Sequence, residues 1–207
     1  MEAEEIIGAV EQALSSKERG FVESVDLCIN LKNVDLNQPK NRLNLDVTLP
    51  NSFREPKIGV FASGEIALKA REAGAEVIDP AELKRMDKKR ARMLVKKYDV
   101  FAADASLMAQ IGRSLGTILG PRGKMPTPIP PGVDPTQILM RLRRTVNIKS
   151  KTPTFWVSIG RKGMDARAIA ENAAAVIKAV ESHLERGWQN IASIYMKTTM
   201  GHAVRVV

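Results

Sequence analysis

Apolar residues change period twice along this chain. Ile6, Val10 and Leu14 recur four apart and predict an opening helix, with Glu2, Glu4 and Glu5 at its positive N-terminal end. The period then drops to two. Val25, Leu27, Ile29 and Leu31 alternate with Asp26, Cys28, Asn30 and Lys32, and Leu43, Leu45, Val47 and Leu49 alternate with Asn44, Asp46 and Thr48. One dry and one wet face per strand is the signature of antiparallel pairing. The connection Asn33–Asn41, which carries Pro39, reads as a loop.

From Lys57 the pattern becomes strand–helix–strand. Ile58–Ala62 and Val100–Ala103 are short continuous apolar runs suited to burial on both faces, with AEVID (Ala75–Asp79) between them. Helices are expected over Glu65–Ala73 and Ala81–Tyr98, the second placing Leu83, Met86, Leu94 and Tyr98 near one side among many lysines and arginines. A small parallel sheet covered by helices follows. Asp134 or Thr136 caps a further helix running through Arg144. Beyond Lys151 alternation returns, with Phe155, Val157 and Ile159 opposite Trp156 and Ser158. A helix capped by Asp165 carries Ile169, Ala173, Val176, Val180 and Leu184 and ends at Gly187; Ile191–Lys197 and His202–Val207 close the chain as strands.

The two flanks therefore share one pattern and the middle another. Neither flank alone can bury its strand face. The expected fold is α/β: an α+β domain built from both chain ends, residues 1–56 and 150–207, with an inserted three-layer, Rossmann-like α/β domain over residues 57–149. The crossings near Asn51–Lys57 and Asn147–Pro153 would form a double hinge.

Composition narrows the chemistry. The 207 residues carry a net charge of +9, which favours a polyanionic partner, nucleic acid ahead of a membrane surface. Cys28 is the single cysteine, so an internal disulfide and a cysteine-built zinc site are excluded, and a small buried hydrophobe is its expected role. His183 and His202 are the only histidines, and HxxH, CxxC and GxSxG patterns are missing. No catalytic residues, metal or cofactor are expected. The acidic start lacks a signal peptide's basic front and no apolar run reaches bilayer length, so a cytoplasmic protein is expected.

One stretch invites a nucleotide reading. Gly123-Lys124 in ILGPRGKM (Ile118–Met125) resembles the end of a phosphate-binding loop. That loop needs glycine where Ile118 stands and a magnesium-binding hydroxyl where Met125 stands, between a strand and a helix. Here a helical segment precedes and prolines follow. A dinucleotide GxGxxG is likewise missing after IGVFA.

The same stretch, within LGTILGPRGKMPTP, resembles the signature of the large-subunit ribosomal protein family numbered one, the protein of the tRNA-exit stalk. RGFVESVDLCINLKNVD and RLNLDVTLP resemble that family's first two strands, IGVFASGE…AREAGAEVI the start of its middle domain, and IASIYMKTTMGHAVRV its closing strands with a TMG motif. The matches run in order from Gly20 to Arg205, and the short acidic N-terminus looks archaeal.

The resemblance implies a non-enzymatic, two-domain protein that binds large-subunit ribosomal RNA in a mobile stalk near the tRNA exit site. It also implies tRNA there as a partner, repression of the protein's own mRNA, a monomer off the ribosome and a place on cytoplasmic ribosomes. Matched positions assign RNA binding to Phe21, Ser24, Arg42, Ser193, Thr199, Met200 and Gly201. Hydroxyls pair with ribose 2′-OH or phosphate, Arg42 forks onto a phosphate, Met200 packs on a ribose and Gly201 lets a backbone approach. Lys149, Arg122 and Lys124 form a secondary set, and Trp156 a further candidate beside core packing. Residues 57–149 hold 18 basic and 9 acidic side chains while the flanks hold 14 of each, so the middle is expected to add a less specific RNA contact. The rival readings are a nucleotide- or phosphate-binding enzyme using the central domain, and a DNA-binding regulator without a helix-turn-helix or zinc pattern.

Overall fold

The computed structural model describes residues 3–36, 38, 41–85 and 87–207; the expectations for Glu2, Pro39 and Met86 fall outside them. The chain folds as two compact units, residues 1–54 with 144–207 and residues 55–143.

The first unit contains helices α1 (Ala3–Leu14) and α7 (Ala166–His183) and strands β1 (Ser24–Leu31), β2 (Leu43–Thr48), β7 (Thr145–Ser150), β8 (Thr154–Arg161), β9 (Ile191–Thr198) and β10 (Val204–Arg205). β10-β9-β1-β8 form an antiparallel sheet, and β2 pairs with β7 in a second. The alternation in each strand sends one set inward: Val25, Leu27 and Ile29 meet Phe155, Val157, Ile159, Ile194 and Met196, with Ile6 and Val10 of α1 and Ile169, Ala173, Val176 and Val180 of α7. Each of the larger side chains so buried contributes about 1.5–3 kcal/mol. Gly160 makes the fit of α7 close, since a Cβ there would come 2.9 Å from Ile169 Cγ1.

Asn172 of α7 is fully buried and fully partnered. Its Nδ2 donates to the carbonyls of Ile159 (2.8 Å) and Asn51 (2.9 Å), and its Oδ1 accepts from the Asn51 N–H (2.9 Å). The segment leaving β2 is thereby pinned to the helix.

The second unit holds the parallel sheet β4-β3-β5-β6, built from β3 (Ile58–Phe61), β4 (Glu76–Ile78), β5 (Val100–Asp104) and β6 (Thr127–Ile129). Its helices are α2 (Gly64–Glu72), α3 (Pro80–Arg85), α4 (Lys88–Lys97), α5 (Met108–Leu119) and α6 (Pro135–Arg144). Phe61, Phe101 and Ala103 face α4 and α5 through Val95, Ile111 and Leu115, while Ile58, Val60 and Ala102 face α2 and α6 through Ala70 and Leu139. Two cores flanking one sheet make three layers.

Several elements differ from expectation for identifiable reasons. The helix expected over Ala81–Tyr98 is two helices, because Asp87 is extended and its carboxylate accepts from the Lys88 N–H, starting α4 afresh. Asp134 rather than Thr136 caps α6, accepting from the Thr136 N–H at 3.0 Å. Asp165 stands at the N-cap of α7 without a side-chain cap bond, and α7 ends at His183, because its C-cap Leu184, three residues before Gly187, is extended. The last strand shrinks to Val204–Arg205. β6 is an unexpected strand: its Pro128 is tolerated because β6 lies at the sheet edge. β7 is the other, with Val146, Ile148 and Ser150 buried opposite β2. Its pairing moves the second passage between units to Arg143–Arg144, six residues before the expected boundary.

That shift redistributes the charge. Residues 55–143 carry 16 basic and 10 acidic side chains, leaving 16 and 13 for the first unit, so the surplus is +6 and +3 rather than +9 and zero.

Candidate nucleic-acid interface

Helices α1 and α7 cover one face of the four-stranded sheet; the other is built from the polar halves of the same alternations. Cross-strand register arranges that outer face in rows. Thr154, Asn30 and Ser193 form the first, and Trp156, Cys28, Tyr195 and Arg205 the second. Ser158, Asp26 and Lys197 form the third, and Arg161 and Ser24 the fourth, where Thr199 joins Ser24 by hydrogen bonds. The first row is bonded across three strands: Thr154 Oγ1 donates to Asn30 Oδ1 and Asn30 Nδ2 to Ser193 Oγ, both at 2.8 Å. In the third, the Ser158 hydroxyl donates to the Asp26 carboxylate. Three cations thus stand on this face with one carboxylate, itself occupied.

At the fourth row the chain leaves β9 in a tight turn held from several sides. Thr199 N–H donates to the Ser24 carbonyl (3.1 Å), Ser24 N–H donates to Thr199 Oγ1 (3.2 Å), and the two hydroxyls lie 3.1 Å apart. Gly201 N–H returns to the Thr198 carbonyl. Glu23, only 1% exposed, accepts the Met200 N–H at 2.8 Å through Oε1, while its Oε2 lies 3.7 Å from Lys162 Nζ without a hydrogen bond. Lys162 Nζ in turn donates to the Ser16 and Lys17 carbonyls, and Ser16 Oγ sits 3.0 Å from Thr198 Oγ1. Gly201 is required by this packing: a Cβ would fall 2.3 Å from Thr198 Oγ1 and 3.1 Å from Ser16 Cβ. So held, the turn presents Met200, 59% exposed, next to the chain segment whose Phe21 and Val22 are 55% and 67% exposed.

The structure therefore brings Ser24, Ser193, Thr199 and Met200 to one face or its rim, with Phe21 on the segment entering it. Lys149 is exposed on β7 of the two-stranded sheet, and Arg42 stands just before β2, its Nε donating to the Leu36 carbonyl. In the second unit Arg122 is exposed, but Lys124 caps α4, its ammonium donating to the carbonyls of Val95 (3.1 Å) and Tyr98 (2.7 Å). The ILGPRGKM turn ends α5 with Gly123 at φ +66° and returns the Lys124 N–H to the Leu119 carbonyl. Cys28 is buried on the outer face between Trp156 and Tyr195, and burial pushes its thiol pKa up.

Tyr195, Lys197, Arg161 and Arg205 escaped the sequence reading, as did the supports Glu23, Lys162 and Ser16. The signal for two of them was present. The alternation that buries Ile194 and Met196 commits Ser193, Tyr195 and Lys197 to the opposite face. Where a dinucleotide fold would seat phosphate, the first turn of α2 carries Glu65, whose pKa is lowered by its bond to Lys69. No group of potential metal ligands occurs among the described residues, and no helix there is long and apolar enough to cross a membrane.

Fold and surface together define a two-unit α/β protein that carries an open, hydroxyl- and cation-bearing sheet face. Residues 12–202 match the family described as ribosomal protein L1p/L10e. The large ribosomal subunit protein uL1 of Methanothrix thermoacetophila is 51% identical over 210 residues, 99% of each chain. The proteins of the same name from Methanocella arvoryzae and Archaeoglobus fulgidus are each 47% identical over 213 residues, covering this whole chain and 100% and 99% of theirs. The chain belongs to the ribosomal protein L1p/L10e family, in its archaeal type. That family is one of ribosomal proteins, not of enzymes.

Proposed function

We propose that this protein is a structural component of the large ribosomal subunit that holds ribosomal RNA in the mobile stalk near the tRNA exit site, and that the same face binds its own mRNA to repress translation. The observation that carries the reading is the pinned Thr198–Gly201 turn, which fixes Thr199 and Met200 beside Ser24 at the end of an open sheet. Pre-set hydroxyls suit RNA because they bond the ribose 2′-OH that DNA lacks. Thr199 Oγ1 accepts from the Ser24 N–H, and its side chain is exposed at the rim where such a contact is made. The second unit, with its surplus of six positive charges, adds a sequence-independent contact to RNA or to tRNA.

Filter binding tests this with large-subunit ribosomal RNA fragments, the leader of the protein's own mRNA and duplex DNA across a salt series. RNA should bind well above DNA, and Thr199→Val should weaken RNA binding by about 1–3 kcal/mol. Because Val also removes the bond to Ser24, unfolding is measured in parallel. Equal affinity for DNA and RNA sinks the reading.

A further inference from the structure

We infer that the second row of the open sheet is a stacking platform for unpaired RNA bases, a specificity this surface adds beyond the hydroxyls of the turn. The inference rests on the proposed RNA-binding reading and deepens it. Trp156 is 61% exposed in the middle of a β-strand, flanked by the buried Phe155 and Val157, so it is committed to the outer face and nothing in its own unit covers it. Tyr195 stands in the same row two strands away, with Cys28 between. Two strand spacings put the aromatic stems about 10 Å apart. That is too far for the rings to pack on each other and wide enough for each to receive its own base.

The surroundings fit a nucleic acid and no other occupant as well. Arg205 is directly opposite Tyr195, Lys197 is in the adjoining row and Arg161 in the row beyond. An apolar protein partner would leave these cations desolvated; a strand whose bases lie on Trp156 and Tyr195 brings its phosphates to them. The face is also continuous with the proposed contact, since Ser193 lies one row above the platform and Ser24 with Thr199 two rows below. A four-stranded sheet that presents Trp156 on its edge strand and the half-buried Tyr195 on a central one reads single strands because every base offers a π-face, whereas a paired stem keeps its bases stacked inside. The platform therefore selects unpaired bases next to the RNA held by the turn.

The whole protein is titrated with mixed-sequence single-stranded RNA of about 12 nucleotides, and with an RNA duplex of the same length, following tryptophan fluorescence and filter retention. Single strands should quench the emission and duplex should not. Trp156→Phe should abolish the quench, leaving only Trp188 to report, while keeping affinity within about threefold. Trp156→Thr and Tyr195→Thr should each weaken single-strand binding by about tenfold, with duplex binding unchanged. Undiminished single-strand binding by Trp156→Thr, or a quench that persists in Trp156→Phe, overturns the platform. If Thr199→Val loses large-subunit ribosomal RNA while Trp156→Thr retains it in full, the platform falls alone. If the unaltered protein binds no ribosomal RNA, both readings fall.

Discussion

Gly201 illustrates how one missing side chain sets a surface. Its Cα hydrogen occupies space that a methyl group would contest with the Thr198 hydroxyl at 2.3 Å and Ser16 at 3.1 Å. Gly201→Ala must therefore displace the turn or break the Ser16–Thr198 bond, at about 1–3 kcal/mol of stability. Met200 and Thr199 move with the turn, so RNA affinity should fall alongside; urea unfolding and filter binding read the two effects. Glu23 holds the same turn from beneath, and Glu23→Leu should loosen it by removing the acceptor for the Met200 N–H and leaving Lys162 without its carboxylate. Cys28 offers a milder probe. Buried between Trp156 and Tyr195, with its pKa raised, it should react with thiol reagents much more slowly than free cysteine at neutral pH and at the normal rate in urea.

Elements made by regular alternation were legible in the sequence: β1, β2, β8, β9 and the faces of α1 and α7 follow from period alone. What escaped depended on partners. Thr145–Ser150 offers only two alternating apolar positions, Val146 and Ile148, and only β2 alongside makes it a strand. Thr127–Ile129 hides among four prolines, Pro126, Pro128, Pro130 and Pro131, until β5 offers a ladder. Lys124 looked available because nothing in ILGPRGKM foretells that the end of α4 lies within reach of its ammonium. Lys124→Met should cost the second unit about 1–2 kcal/mol in thermal unfolding and leave RNA affinity nearly unchanged. Asn172 is the matching test in the first unit. Asn172→Leu strands the Asn51 N–H and two carbonyls in a dry site, and a loss of about 2–3 kcal/mol is expected by denaturant titration.

Across the whole molecule the charge surplus is divided, and its densest part is α4. Lys88, Arg92 and Lys96 follow one another at helical i, i+4 spacing, and Lys89 and Arg90 are exposed beside them; the helix has no acidic residue in its first turn. Such like-charged neighbours destabilise a helix by roughly 0.2–0.5 kcal/mol per pair. Replacing Lys88, Arg92 and Lys96 together by Gln should therefore raise stability slightly. It should also reduce the slope of log affinity against log salt by about 2–3 if α4 meets phosphates. A slope that stays put removes the second unit from the RNA contact.

The pairing of β2 with β7 has a further consequence. Thr48 and Thr145 are partners, the Leu49 N–H returns to the Arg144 carbonyl and the Arg54 guanidinium reaches the Thr145 carbonyl, so the chain re-enters the first unit beside the point where it left. In the grammar of the first unit, residues 55–143 are a hairpin turn of unusual length. They should be exchangeable for a short one without disturbing a strand, whereas an excision of 57–149 takes β7 with it and leaves β2 unpaired among the described residues.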